Sequence, residues 1–395
     1  MKKHEHKSLT LNVIQALTLI VFILLPFGQL QRLQITPTIS TYSHEIILAV
    51  SVILWICYQI TSKTKRTKSV LEKPFLVFIG FALFSWLINF TRFGTPSLPG
   101  LLYLLRVSFY FGFYLLLNDF RHKKLLSFKI EFILTLVGVL LVLFSWLQYT
   151  VIPDTRFLYL IGWDDHLFRA IGTLFDPGFL GLIFVLILIL IEDKFNQDLF
   201  KIIYIATFLI MLLTYARSAY FAFIIAALAH FSISKDWKRL IVKIFILFFA
   251  LPLLPRPAGE GVRLERTSSI YSRAQTAVSS MDIFKSNPIF GIGFNNYPLA
   301  APTQPNLKYP DLPSHPSAPD NSFLFILATT GIIGLISFLY FLGKTIILTH
   351  PYPTSFISII TILAHSFTNN SFFYPWILLW FWAILASRNL KGFKG

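Results

Sequence analysis

Apolar runs about one bilayer long recur almost from end to end of this 395-residue chain, and they constrain its fold more than any motif does. A hydrocarbon core of about 30 Å takes roughly 20 apolar residues as helix. Without water to satisfy the backbone, helices and closed barrels are the only spanning solutions. Twelve runs of helical length are present, near 11–30, 44–61, 74–91, 98–118, 129–151, 172–191, 199–215, 217–234, 239–255, 322–343, 354–369 and 372–388. With 55% hydrophobic and 13% charged residues, the chain is too apolar for a soluble globule. The expected fold class is an all-α polytopic membrane protein, a single integral membrane domain over 1–395 with about 12 transmembrane helices. Its one large extracytoplasmic loop, 256–321, falls between the ninth and tenth.

Lys2, Lys3 and Lys7 precede the first run, Leu9–Leu30. That run is too long for a signal-peptide core and lacks a small-residue cleavage site, so a retained first helix is expected. Cys57 stands alone, which excludes an internal disulfide and a cysteine metal cluster.

A net charge of +16 invites a nucleic-acid reading, but its distribution argues for topology. With both termini inside, the cytoplasmic segments hold 22 Lys and Arg and the outer segments 11, with Arg106 inside a span. That is the positive-inside bias, and no nucleic-acid partner is expected. Of the 22 inside, 18 are lysine; of the 11 outside, 9 are arginine. Topogenesis needs charge of either kind, whereas a guanidinium is a planar fork that matches phosphate oxygens in pairs. Outer arginines therefore point to an anionic ligand or, less specifically, to pairs with Asp164, Asp165, Glu260 and Glu265. Arg106 has no acidic partner that the sequence names, and a charge within a span is a functional candidate by default.

The segment 155–175 carries Asp164, Asp165, His166 and Arg169, a carboxylate pair beside cations with no ligand spacing that specifies a metal. Arg217 joins two apolar runs with almost no loop between them, a position suited to headgroup anchoring or to a bound pyrophosphate. In Ser268–Ser286, Ile270, Ala274, Ala277, Met281 and Phe284 recur at helical spacing, which predicts an interfacial amphipathic helix with Thr267 or Ser268 as N-cap. At 100° per residue Arg273 falls about 20° from Phe284, on the border of that stripe. Prolines stud 298–319 and exclude regular structure there; His315 lies within this flap. Asp320 and Asn321 open the next span, where Asp serves as an ordinary N-cap. Gly291 and Gly293 suit a tight turn after Pro288 and lack the setting of a nucleotide loop. The last helix pair carries His365, Asn369 and Asn370 at its outer end.

Four stretches together resemble the O-antigen ligase/polymerase family of the bacterial inner membrane: Gly172-Thr173-x-Phe175 with Pro177; Thr214-x-x-Arg217; Arg273 ahead of Asn287-Pro288-x-x-Gly291-x-Gly293; and Asp320-Asn321-Ser322-Phe323-Leu324 leading to Gly331 and Gly334. The resemblance covers roughly 170–388; the first 150 residues match only in hydropathy. It implies a multi-pass protein with cytoplasmic termini that moves glycan from an undecaprenyl-diphosphate donor to a saccharide or lipid-linked hydroxyl acceptor. A chain-length regulator is a candidate partner, and neither cofactor nor metal is implied. Carried onto this chain, the catalytic set is Arg217, Arg273 and Asp320, with Arg169, Arg266, His315 and Asn321 as substrate contacts. Ligases carry His where this chain has Asp320, which favours a polymerase over transfer to lipid A core. A twelve-span secondary transporter is the competing class. Against it stand the off-centre loop and the lack of a repeated half.

Overall fold

Each of the twelve apolar runs folds as an α-helix in the computed structural model, which describes residues 2–36, 39–301 and 318–390. The helices are α1 (Lys2–Leu24), α2 (Ser43–Ser62), α3 (Glu72–Phe93), α4 (Leu98–His122), α5 (Ile130–Val151), α6 (Pro177–Ile191), α7 (Asp198–Leu212), α8 (Arg217–Ser234), α9 (Trp237–Leu253), α10 (Ser268–Ser286), the single turn α11 (Tyr297–Ala300), α12 (Ser322–Thr349), α13 (Pro353–His365) and α14 (Pro375–Ala386). Seven, namely α1 to α5, α8 and α12, are long and apolar enough to cross a membrane. The others are shorter, apart from α10, which is long enough but not apolar enough. Among them α6 and α14 are apolar on every face and buried on every face, so they form the centre around which the longer helices pack. By contrast α9 leaves Ile241, Phe245, Phe248 and Phe249 exposed, the composition of a lipid-facing surface.

The fold is nearly all-α. The exception is a two-stranded antiparallel hairpin, β1 (Arg32–Thr36) and β2 (Ile39–Tyr42), between α1 and α2. Beside it, Arg106 acquires the partner that the sequence did not reveal. Its Nη2 lies 2.9 Å from Glu45 Oε2 and donates to Ser40 O at 2.9 Å. Tyr110 donates to the same carboxylate at 3.1 Å, and His44 Nε2 meets the Tyr110 hydroxyl at 3.1 Å. A paired charge inside a helix bundle is structural, so Arg106 ties the hairpin to α2 and α4.

A break in α12 shapes the site end of the molecule. Gly331 has φ 68° and ψ −167°, which interrupts the helix about 15 Å from its start. The turn Pro288–Gly293 docks into that break. Ile292 N donates to Ala328 O at 3.2 Å, and Ile332 N to Pro288 O at 2.8 Å. From α3, Ser85 Oγ donates to Phe290 O and Thr329 O, and Asn89 Nδ2 to Gly291 O at 3.1 Å. Irregular backbone survives inside an apolar bundle only where protein satisfies it, and here it does. The glycine turn thus does more than follow Pro288: it anchors the end of α10 to α12.

Candidate functional site

Three helix beginnings meet at one end of the bundle. Asp176 caps α6, its Oδ1 accepting from Gly178 N at 2.7 Å and Phe179 N at 2.8 Å. A Cβ added to Gly178 would lie 3.1 Å from Asn369 Nδ2 and 3.5 Å from Ser218 Oγ, so α6, α8 and the turn after α13 converge there. At the start of α12 Ser322 N donates to Ser366 O, and its Oγ to Asn370 Oδ1, both at 2.9 Å. That pairing brings Asp320 to the same rim.

The hairpin between α7 and α8 is held by arginines. Tyr215 is buried with φ 49°, a left-handed conformation that a bulky residue adopts only when its surroundings impose it. Its carbonyl accepts from Arg266 Nη2 at 3.1 Å and Arg169 Nη2 at 3.5 Å. Arg169 Nε also donates to Thr214 O at 2.9 Å, and the Tyr215 hydroxyl donates to Pro255 O. Arg217 follows as the first residue of α8, donating to Ser269 Oγ at 2.7 Å and Leu264 O at 3.2 Å. One turn along α10 from Ser269, Arg273 donates to Asn369 Oδ1 at 3.2 Å.

These arginines act on one another. Arg217 and Arg273 repel, and both repel Arg266. Burial, reinforced by Arg217, holds the Arg266 guanidinium below its ordinary value. Burial with Arg266 alongside pushes Arg169 down to about 9, still cationic at neutral pH. Among the described residues none of the four forms an ion pair with a carboxylate. The carboxylate reading does hold for Arg256, which pairs with Glu265 at 3.3 Å, while Glu260 accepts from Ser268 Oγ. Cations gathered in partly buried surroundings, with no carboxylate bonded to them among the described residues, suit an anion.

Asp320 faces them. Burial raises its carboxyl above the usual value, and Arg273, which lowers it, does not compensate. Asp164 adds like charge and raises it further. The capping expected of Asp320 is performed by its neighbour: Asn321 Oδ1 accepts from Phe323 N at 2.8 Å and Leu324 N at 3.0 Å. Asn321 is therefore spent on the helix and on Phe367 O, which leaves Asp320 for other work.

The apolar stripe of α10 faces away from the protein: Ile270 is 55% exposed and Met281 37%, while Thr276, Ser280 and Ile283 face inward. Arg273 shares the inward polar face and reaches Asn369. Two further expectations need correction. Thr267 precedes α10 but makes no side-chain cap bond. Arg169 is only 7% exposed and its donors meet backbone carbonyls, which places it behind the hairpin and not in the open crevice. His315 lies outside the described residues. Asn369 gained no role from the sequence although it touches Arg273. Its one signal was an amide next to a second amide at the end of an apolar run. His365, one turn earlier and fully buried, bonds Ser371 Oγ through Nδ1 at 2.6 Å.

Fold and site together define a multi-helix membrane protein with four arginines gathered at one end of its bundle. Residues 202–339 match the O-antigen ligase family model, which supports the O-antigen ligase/polymerase family. The matched stretch holds Arg217, Arg266, Arg273, Asp320 and Asn321, while Arg169 and Asn369 lie outside it. It supports a ligase- or polymerase-type role in O-antigen assembly. No curated protein matches the chain.

Proposed function

We propose that the protein is a metal-independent glycosyltransferase that moves glycan units from an undecaprenyl-diphosphate donor to a hydroxyl acceptor at the outer face of the inner membrane. The observation that carries this reading is an arginine cluster that forms no carboxylate ion pair among the described residues, set against an Asp whose carboxyl is raised by burial. Arg217 and Arg273 hold the donor diphosphate. As the acceptor oxygen bonds to the anomeric carbon, the glycosidic C–O bond breaks and its electron pair leaves on the diphosphate. The two guanidinium groups balance the charge that grows there. Asp320 takes the hydroxyl proton. Arg169 and Arg266 act behind this pair by holding the hairpin that presents Arg217. The reading includes about twelve crossings, cytoplasmic termini, and loop 256–321 outside with α10 lying on the interface.

Purified protein incubated with a lipid-diphosphate-linked repeat unit should give extended glycan, with or without chelator. Arg217→Ala and Arg273→Ala should each lose about 100- to 1000-fold in rate while still accumulating in the membrane. Polymer of normal length from both variants would end the proposal. The family match favours a second reading, a ligase. Deletion separates them: loss of a polymerase leaves single-repeat product, whereas loss of a ligase leaves long chains on the carrier.

A further inference from the structure

Between the start of α5 and the end of α14, away from the arginine site, a surface-open cavity of about 370 Å³ is present. Arg121, Lys124 and Lys129 contribute its charge, and Leu126, Phe128 and Ile130 its apolar wall. Arg388 adjoins it and repels Arg121. Glu131, the carboxylate of the lining, is occupied by Arg388 and accepts from Ser387 Oγ at 3.4 Å. The lining includes the start of α5 at Lys129, Ile130 and Glu131. Two donors are out of place. The Nε atoms of Arg121 and Arg388 are both buried without an acceptor among the described residues. Arg388 has its charge paired with Glu131, whereas Arg121, which lines the cavity, has no ion pair among the described residues; burying a charged donor unpaired is costly, and an anion in the cavity would supply its acceptor.

We infer that this cavity is a second anion site, one that takes the phosphodiester headgroup of an anionic membrane lipid. The phosphate meets Arg121 and Lys124, and the apolar wall at Leu126 and Phe128 accommodates the start of an acyl chain. Topogenic charge alone does not account for the arrangement, because orientation requires neither a cavity nor buried guanidinium nitrogens. Basic pockets between transmembrane helices suit such headgroups for this reason. The site is independent of the transfer chemistry proposed above.

The test counts lipids bound to the detergent-purified full chain by native mass spectrometry, with phosphatidylglycerol, phosphatidylcholine or inorganic phosphate added. Retained phosphatidylglycerol, absent phosphatidylcholine and an unaffected count with millimolar phosphate are expected. The double variant Arg121→Gln/Lys124→Gln should weaken retention about tenfold or more. The milder Lys129→Gln, scored for an intact elution profile, repeats the measurement should the double variant misfold. Lys65→Gln/Lys68→Gln removes equal charge from another segment and should change nothing. Equal retention of both lipids, or equal loss in the control, would reduce the effect to diffuse charge and overturn the site. Displacement of lipid by phosphate alone would assign the cavity to a soluble phosphate and overturn the lipid.

Discussion

Asp320 is pulled in opposite directions by burial and by Arg273, and burial prevails. The sign has a kinetic consequence. A base with a raised pKa is lost as pH falls through that higher value, so the acid limb of the rate profile should lie above the ordinary carboxylate value of about 4. Asp320→Asn should remove the limb together with most activity. Asp320→His should retain activity with the limb moved towards about 6.5, and a pH–rate series on the three proteins checks both. Arg217→Lys keeps charge but loses the planar fork that reaches Ser269 and Leu264, and should be severely impaired. Asn369→Ala removes the side-chain acceptor that holds Arg273 among the described residues and should lower kcat about tenfold with little change in KM, read from initial rates. The arginines were legible as residues because phosphate recognition restricts side-chain type. Asn369 was not, since an amide at a helix end has many ordinary uses.

Elements carry a different lesson. The boundaries of α8 and α10 coincide with the apolar runs and the periodic segment, and the stripe of α10 faces away from the protein. Periodicity identifies the apolar face but not what that face meets, and beside a bilayer it can meet lipid. The contact that positions α10 is the glycine turn in the α12 break. A Cβ at Gly331 would run into the carbonyl of Ile289, and one at Gly291 into the backbone of Thr329 and Thr330. Both also have positive φ. Gly331→Ala should therefore cost about 3 kcal/mol and lower the melting temperature of purified protein by several degrees. Activity should fall as well, because α10 carries Arg273. A variant that melts with the wild type would show that the turn is not clamped.

For the whole molecule, the side of the membrane that receives the arginine site is the remaining expectation. Cys57 is the single cysteine and is exposed, so a Cys57→Ser background is free of thiols. In intact cells Gly259→Cys should label with an impermeant maleimide and Lys65→Cys should not. The reverse pattern would invert the topology. Packing at this scale also explains why two of the expected spans are short. α6 and α14 are enclosed by other helices, so protein rather than lipid sets their ends, through Asp176 and Pro177 in one and Pro375 in the other.

By itself the sequence determined where helices form, that they live in apolar surroundings, and which side chains suit an anion. Length, apolarity and guanidinium chemistry are local properties, so they can be read along a chain. Only the tertiary structure decided that Arg106 is paired with Glu45, that Asn321 rather than Asp320 caps α12, and that Arg169 supports the hairpin from behind. Each of these depends on a partner brought close by packing, at a separation in sequence that no spacing rule records.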